Sequence, residues 1–155
     1  MVEFKQASDE ASITDARSLF REYETWLGLD LCFQGFEEEL RNLPGKYALP
    51  AGRLLLAYAD ERLAGCVALR KIGPRICEMK RLYVRSEFRG QKIGIHLIKK
   101  VIDEARLSGY KKMRLDTYPI KMGKARDLYE SLGFSEIPPY YDNPYEGVVF
   151  MELDL

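Results

Sequence analysis

The chain has 155 residues, which is long enough for a buried core, and we expect a single domain over residues 1–155. With 46% hydrophobic and 31% charged residues, the composition is that of a globular protein and argues against a disordered chain. No apolar run approaches the roughly 20 residues that span a bilayer, and the first residues lack the pattern of a signal peptide. We therefore expect a cytoplasmic protein with no membrane partner.

The first half of the chain alternates between predicted strands and helices. The alternating segment VEFKQA predicts a strand, and helical spacing then runs over residues 16–27 until a glycine ends it. The segment FEEELRNLPG predicts a second, shorter helix. Two strands follow over Arg53–Ala59 and Arg62–Lys71, joined by a tight turn.

The second half continues this alternation. A predicted strand at about Ile76–Val84 precedes the segment RGQKIG, and an apolar helical pattern then runs from Ile93 to near Gly109. The segment KKMRLDTYP predicts a strand, GKARDLYESLGF predicts a short helix beginning near Gly123, and VVFMELDL predicts a terminal strand. Strands and helices that follow each other in this way predict an α/β domain.

Charge is segregated along the chain, although the formal net charge is zero. Residues 70–112 hold 13 lysines and arginines against 4 acidic residues. Such a block is often only a solvated face, but this one surrounds RGQKIG and therefore favours a polyanionic ligand. A nucleic-acid-binding module would need interleaved aromatic residues and a recognised motif, so we expect no nucleic-acid partner.

The cysteines and the histidine argue against a metal centre. The chain has three cysteines and one histidine, and no two cysteines have the spacing of a Cys-x-x-Cys site. We therefore expect free thiols and no metal.

The turn RGQKIG, residues 89–94, lies where a predicted strand gives way to a long helix. It is neither a P-loop nor a dinucleotide-binding fingerprint, because Gly90 and Gly94 have the wrong spacing. The first turn of a helix leaves backbone N–H groups unpaired, and an anion can accept hydrogen bonds from them. The residues alone leave two alternatives open, an anion site or an ordinary glycine-bearing turn.

Two motifs together resemble the GNAT superfamily of acetyl-CoA-dependent N-acetyltransferases. The first is the family turn Arg/Gln-x-x-Gly-x-Gly/Ala, filled here by residues 89–94. The second is Ala-x-x-Leu-Tyr-x-x-Leu-Gly-Phe, matched over residues 125–134. The chain departs from the family at Lys92, where the family usually has glycine, and at Met122, where it often has asparagine.

The resemblance implies an α+β fold with a mixed, mostly antiparallel sheet of about six to seven strands, about four flanking helices and a splay between the fourth and fifth strands. Acetyl-CoA would lie in the gap as co-substrate, without a metal. The backbone of Leu82, Tyr83 and Val84 would pair with the pantetheine amides. The residues implied to hold the pyrophosphate are Arg89, Gly90, Gln91, Lys92, Ile93, Gly94 and Ile95.

The resemblance also implies two catalytic residues. Glu78 aligns with the general base of the family, and burial beside aromatic surface would raise its pKa and make it a better base. Tyr129 aligns with the general acid, and a phenol with a pKa of about 10 stays protonated at neutral pH. The residues alone allow other roles, because Glu78 could instead pair with Lys80 or Lys112, and Tyr129 could be a core aromatic.

The implied reaction is direct transfer of an acetyl group to a primary amine of a small molecule or peptide. The acidic residues Glu37, Glu38, Glu39 and Asp142 either favour a cationic amine or form a solvated face. A catalytically silent acyl-CoA-binding regulatory module with the same cleft is the alternative to an enzyme. The sequence also leaves the identity of the amine and a homodimer open.

Overall fold

The computed structural model describes the backbone of residues 1–155 and the side chains of residues 1–118 and 123–155. Its strands form one seven-stranded sheet in the order β1-β2-β3-β4-β5-β7-β6. The strands are β1 (Val2–Gln6), β2 (Arg53–Ala59), β3 (Arg62–Gly73), β4 (Ile76–Val84), β5 (Lys112–Thr117), β6 (Ser135–Ile137) and β7 (Val149–Asp154). All neighbouring strands are antiparallel except β4 and β5, which are parallel. This confirms the mixed, mostly antiparallel sheet expected from the sequence.

Helices cover both faces of the sheet. They are α1 (Glu10–Leu27), α2 (Phe36–Arg41), α3 (Ile93–Leu107) and α4 (Pro119–Ser131). Short 3-10 turns lie at Cys32–Gln34, Gly45–Tyr47 and Ser86–Phe88. Within the part of the chain that the structure describes, no helix is both long and apolar enough to cross a membrane.

Two hydrophobic cores hold the layers together. On one face, the apolar stripe of α3, including Leu97, Ile98 and Val101, packs against the sheet. On the other face, α1 and α2 pack their buried residues, such as Phe20 and Phe36, against the opposite side of β2 and β3. Successive strand residues therefore point alternately toward the α3 layer and toward the α1 layer.

The central strands separate at one end. β4 pairs with β5 over only three positions, at Ile76, Cys77 and Glu78. β4 also contains a bulge against β3, because Ala68 faces Lys80 whereas Cys66 faces Tyr83, which leaves two β4 residues opposite one residue of β3. Beyond residue 78 the edge of β4 is therefore free of β5, which confirms the predicted splay.

Two elements differ from the sequence prediction. The strand β6 has only three residues, which is too short for an alternating pattern to be recognised. The helix α4 begins at Pro119 rather than near Gly123, because proline is well accommodated in the first turn of a helix.

Candidate active site

The gap between β4 and β5 opens into a cavity of about 520 Å³. It is bounded by the free edge of β4, the start of α3, the end of β5 and the described part of α4, with α1 at its rim. The residues that line it are Tyr23, Trp26, Met79, Lys80, Arg81, Leu82, Tyr83, Val84, Arg89, Gly90, Gly94, Leu115, Asp116, Lys124, Ala125, Leu128 and Tyr129. We call this cavity the splayed cleft.

The start of α3 has the features of an anion site. Lys92 is its N-cap in the left-handed conformation (φ 63°), and no side chain caps the helix. The first N–H groups of α3 therefore lack side-chain acceptors, and the helix dipole adds positive potential. Gly90 has φ +87°, and the position that a Cβ would occupy has no atom within 4 Å, so the turn leaves room beside its backbone.

Arg89 holds this turn against the end of β4. Its Nε donates to the carbonyl of Val84 at 3.0 Å. Its guanidinium lies 5.3 Å from the Trp26 ring centroid and 5.9 Å from that of Tyr83. The positive charge is thus fixed at the mouth of the cleft.

Six of the ten residues predicted to hold the cofactor line the splayed cleft. These six are Leu82, Tyr83, Val84, Arg89, Gly90 and Gly94. Gln91 and Lys92 are exposed beside it, Ile95 is half-buried, and the Ile93 side chain belongs to the core. Any contribution of Ile93 to ligand binding is therefore limited to its backbone.

Tyr129 lies on α4 and lines the cleft. Its ring packs edge-on against Phe134 at 5.6 Å, and the residue is 4% exposed. Burial, and to a smaller extent the charge of Asp116, raises the pKa of the Tyr129 phenol, so the phenol is a proton donor at neutral pH. The side chain of Met122, the second departure from the family motif, lies outside the described residues.

Glu78 lies on the opposite face of β4 and does not line the splayed cleft. It is 1% exposed, and the structure gives it three partners. Arg70 Nε donates to its Oε1 at 2.8 Å, the Tyr140 hydroxyl donates to its Oε2 at 2.5 Å, and Lys80 Nζ lies 3.8 Å from Oε1. Pairing with Lys80 was one of the alternatives, whereas Lys112 pairs with acidic residues of β7 instead.

The pKa of Glu78 shifts in the direction opposite to our expectation. Burial alone raises it, but the charges of Lys80 and Arg70, together with the hydrogen bonds from Tyr140 and Arg70, outweigh burial. The net result is a pKa below the ordinary value for glutamate, so the carboxylate is ionised at neutral pH. The prediction of a raised pKa was wrong because Arg70 and Tyr140, which the sequence did not indicate as partners, act together with Lys80.

Sequence reasoning missed the acidic residue of the cleft. Asp116 lines the cleft from β5 and accepts a hydrogen bond from the Tyr141 hydroxyl. Tyr140 and Tyr141 each pack edge-on against Phe150 at 5.2 Å. The alternation in MRLDT, which places Asp116 on the polar side of its strand, was the one available signal.

The acidic segment of α2 is largely neutralised. Arg21 forms two hydrogen bonds to Glu37, at 2.5 and 2.7 Å, and Arg81 forms two to Glu39, at 2.9 and 3.0 Å. The first pair is exposed, whereas in the second pair Arg81 is buried and Glu39 is largely buried. Two of the three acidic residues therefore do not offer a free negative charge to a cationic amine.

Comparison with known proteins identifies the family. Residues 13–134 match the model of the Acetyltransferase (GNAT) family. The chain belongs to the GNAT family. It is 43% identical to an uncharacterized N-acetyltransferase of Schizosaccharomyces pombe, over 92% of this chain and 88% of that protein. It is 36% identical to another from Dictyostelium discoideum, over 92% of this chain and 94% of that protein. By this membership it is an acyltransferase.

Solved structures of GNAT enzymes have the same fold. An acetyltransferase of the GNAT family from Staphylococcus aureus has a TM-score of 0.81 at 19% identity, with 99% of each chain covered. The PaiA N-acetyltransferase from Thermoplasma acidophilum, solved in complex with coenzyme A, has a TM-score of 0.76 at 19% identity. That alignment covers 100% of this chain and 99% of the other. Both comparisons confirm the GNAT fold.

Proposed function

We propose that residues 1–155 form one N-acetyltransferase domain that moves an acetyl group from acetyl-CoA to a primary amine of a small molecule or peptide. The observation that carries this proposal is the splayed cleft, where the free edge of β4, the open start of α3 and the Tyr129 side chain line one cavity. When bound, acetyl-CoA supplies an acetyl group activated as a thioester.

The residues present fit a coenzyme A molecule. The backbone of Leu82, Tyr83 and Val84 lies on a strand edge that β5 leaves free, and it can pair with an extended chain of amides. The N–H groups of residues 90–95, with the charges of Arg89 and Lys92, bind the pyrophosphate. The basic block of the sequence, residues 70–112, gains a role in this way.

The proposed proton donor is Tyr129. Its hydroxyl protonates the departing thiolate, and its raised pKa keeps the phenol protonated until that step. The edge-on contact with Phe134 holds the ring in one orientation toward the cleft.

The proposed proton acceptor is Glu78. Its low pKa limits where it can take a proton from the amine. The carboxylate is in the basic form at neutral pH, but a lowered pKa makes it a weak base for an ammonium group. Proton transfer therefore requires the ammonium to enter the buried cluster around Glu78, where loss of water lowers the pKa of the ammonium itself.

Acetyl-CoA binding and turnover test the proposal separately. Calorimetry at low salt should show binding of acetyl-CoA, and release of free thiol on addition of an amine should show transfer. Binding without thiol release from a broad panel of amines and peptides would favour the catalytically silent acyl-CoA-binding module. Absence of binding would refute both functions.

A further inference from the structure

A second cavity, of about 420 Å³, lies on the face of the sheet that carries Glu78. It is enclosed by the segment between α1 and α2, by α2 itself, by the turn Gly45–Tyr47 and by Arg70 of β3. The buried Arg81–Glu39 ion pair joins the two cavities, because Arg81 lines the splayed cleft and Glu39 lines this one. We call this second cavity the α2 cavity.

Two buried polar atoms of residues that line the α2 cavity have no hydrogen-bond partner among the described residues. The Tyr47 residue is 2% exposed, and its buried hydroxyl lies near the Glu39 carboxylate but forms no hydrogen bond of normal geometry to any described residue. Oε1 of Gln34 is buried and equally without a partner, whereas its Nε2 donates to the hydroxyls of Tyr118 and Tyr141. Native proteins rarely leave buried polar groups unpaired, so these atoms point to a ligand.

Arg70 adds a charged donor to the same cavity. It uses its Nε on Glu78, and among the described residues no carboxylate or carbonyl accepts from its two terminal nitrogens. A guanidinium that presents such donors matches the two oxygens of a carboxylate. Burial raises the pKa of the Tyr47 phenol, so its hydroxyl remains a donor beside Arg70.

The surrounding charges also favour an anion here. Glu39 is neutralised by Arg81, and Glu78 is neutralised by Arg70 and Lys80. Lys46 lies at the exposed rim of the cavity and adds a positive charge, opposite the exposed Glu38. A small zwitterion fits this arrangement better than a purely cationic amine.

We propose that the α2 cavity binds a carboxylate of the acceptor, which makes the acceptor an amino acid. Arg70 and Tyr47 donate to the carboxylate, and Gln34 Oε1 accepts from an N–H group of the same molecule. Because Arg70 is itself bonded to Glu78, a carboxylate held there brings the attached amine close to Glu78. This inference rests on the proposed function and adds the class of its acceptor.

The first test compares amines that differ by one carboxylate. Thiol release would be measured for lysine and cadaverine, ornithine and putrescine, tyrosine and tyramine, histidine and histamine, and 4-aminobutyrate and propylamine. At least one amino acid should exceed its decarboxylated partner in kcat/KM by roughly 10- to 100-fold, as expected for a hydrogen-bonded charged group. Equal or better use of the decarboxylated amines would overturn the inference and leave the N-acetyltransferase function standing.

Binding measurements with acetyl-CoA and the amino acids test the inference when none of the ten compounds reacts. The inference would also be overturned if the protein binds acetyl-CoA to saturation but no amino acid causes thiol release or shifts the unfolding temperature. Lack of acetyl-CoA binding itself would refute the proposed function instead.

The second test removes the unpaired hydroxyl. Tyr47→Phe should raise KM for the preferred amino acid roughly tenfold or more, with acetyl-CoA affinity and unfolding temperature nearly unchanged, because the hydroxyl forms no hydrogen bond of normal geometry to the described residues. Tyr58→Phe is the matched control, since the Tyr58 hydroxyl donates to Asp15 away from this cavity, and KM should not change. An unchanged KM in Tyr47→Phe would contradict the proposal.

Discussion

The hydroxyl of Tyr140 donates a hydrogen bond to Oε2 of Glu78 at 2.5 Å, between residues 62 positions apart in the chain. The guanidinium of Arg114 lies 5.3 Å from the centroid of the same tyrosine ring. The segment before β7 is thereby fixed over β4, and the one fully buried carboxylate among the described glutamates lies beneath it. An amine that approaches Glu78 has to share this carboxylate with Tyr140 or displace its hydroxyl.

The proposed role of Glu78 as the general base predicts that its removal lowers kcat by a factor that depends on pH. Glu78→Gln should lower kcat most at neutral pH, and the deficit should shrink as pH rises, because more of the amine is already deprotonated. The measurement is the ratio of mutant to wild-type kcat from pH 6.5 to 9.5. Asp116→Asn, at a carboxylate that lines the splayed cleft and accepts from Tyr141, is the comparison, and its ratio should not vary with pH. A flat ratio for Glu78→Gln would exclude it as the base.

Removal of the Tyr129 hydroxyl should affect chemistry rather than binding. Tyr129→Phe keeps the ring contact with Phe134 and should lower kcat by about 10²- to 10⁴-fold, with acetyl-CoA affinity retained. Tyr110→Phe is the control, because the Tyr110 hydroxyl donates to the Ala51 carbonyl away from the cleft, and its kcat should remain near wild type. A near wild-type rate for Tyr129→Phe, with chemistry rate-limiting, would favour water as the proton donor.

The open turn before α3 predicts a strong effect of a negative charge. Gly90→Glu should abolish measurable acetyl-CoA binding in calorimetry, because it places a carboxylate beside the phosphate site. Gly109→Glu controls for backbone strain, since Gly109 has the same φ of +87° and the same free space but lies beyond the far end of α3. Equal loss of acetyl-CoA affinity in both variants would mean that backbone strain causes the loss.

The two ion pairs of α2 should differ in their contribution to stability. Glu39→Gln leaves Arg81 unpaired in the core, and we expect the free energy of unfolding to fall by about 3–5 kcal/mol. Glu37→Gln breaks the similar but exposed pair with Arg21 and should change the stability little. Urea unfolding monitored by circular dichroism measures both. Similar losses in the two variants would contradict the difference in burial.

Asp9 caps the N-terminus of α1, and we expect its protonation to lower the stability of the protein in acid. Hydrogen bonds from the side chain and backbone of Ser12 hold the pKa of Asp9 at about 2, below its ordinary value of 3.8. Because the folded-state pKa is the lower one, the contribution of the ionised cap is complete above about pH 4 and is lost as pH falls toward 2. Asp9→Asn should flatten the pH dependence of unfolding in that window. Parallel wild-type and mutant curves would contradict this.

Much of the fold follows from local patterns in the sequence. The apolar runs of β2 and β3 on either side of a tight turn, and the apolar stripe of α3, predicted those elements close to their observed bounds. The turn at residues 89–94 was recognised for the same reason, because a strand end, a helix start and their glycines are neighbours in the chain. The motif at residues 125–134 likewise placed Tyr129 on a helix, and the structure turns that helix toward the cleft.

Tertiary structure decided most of the environment of Glu78. Arg70, Lys80 and Tyr140 come from two strands and a distant loop, and their joint charge sets the direction of its pKa shift. The bulge in β4 likewise depends on register with β3, which has no local signature. Periodicity reports which face of an element is buried, whereas the pairing of charges across that face depends on how the elements pack.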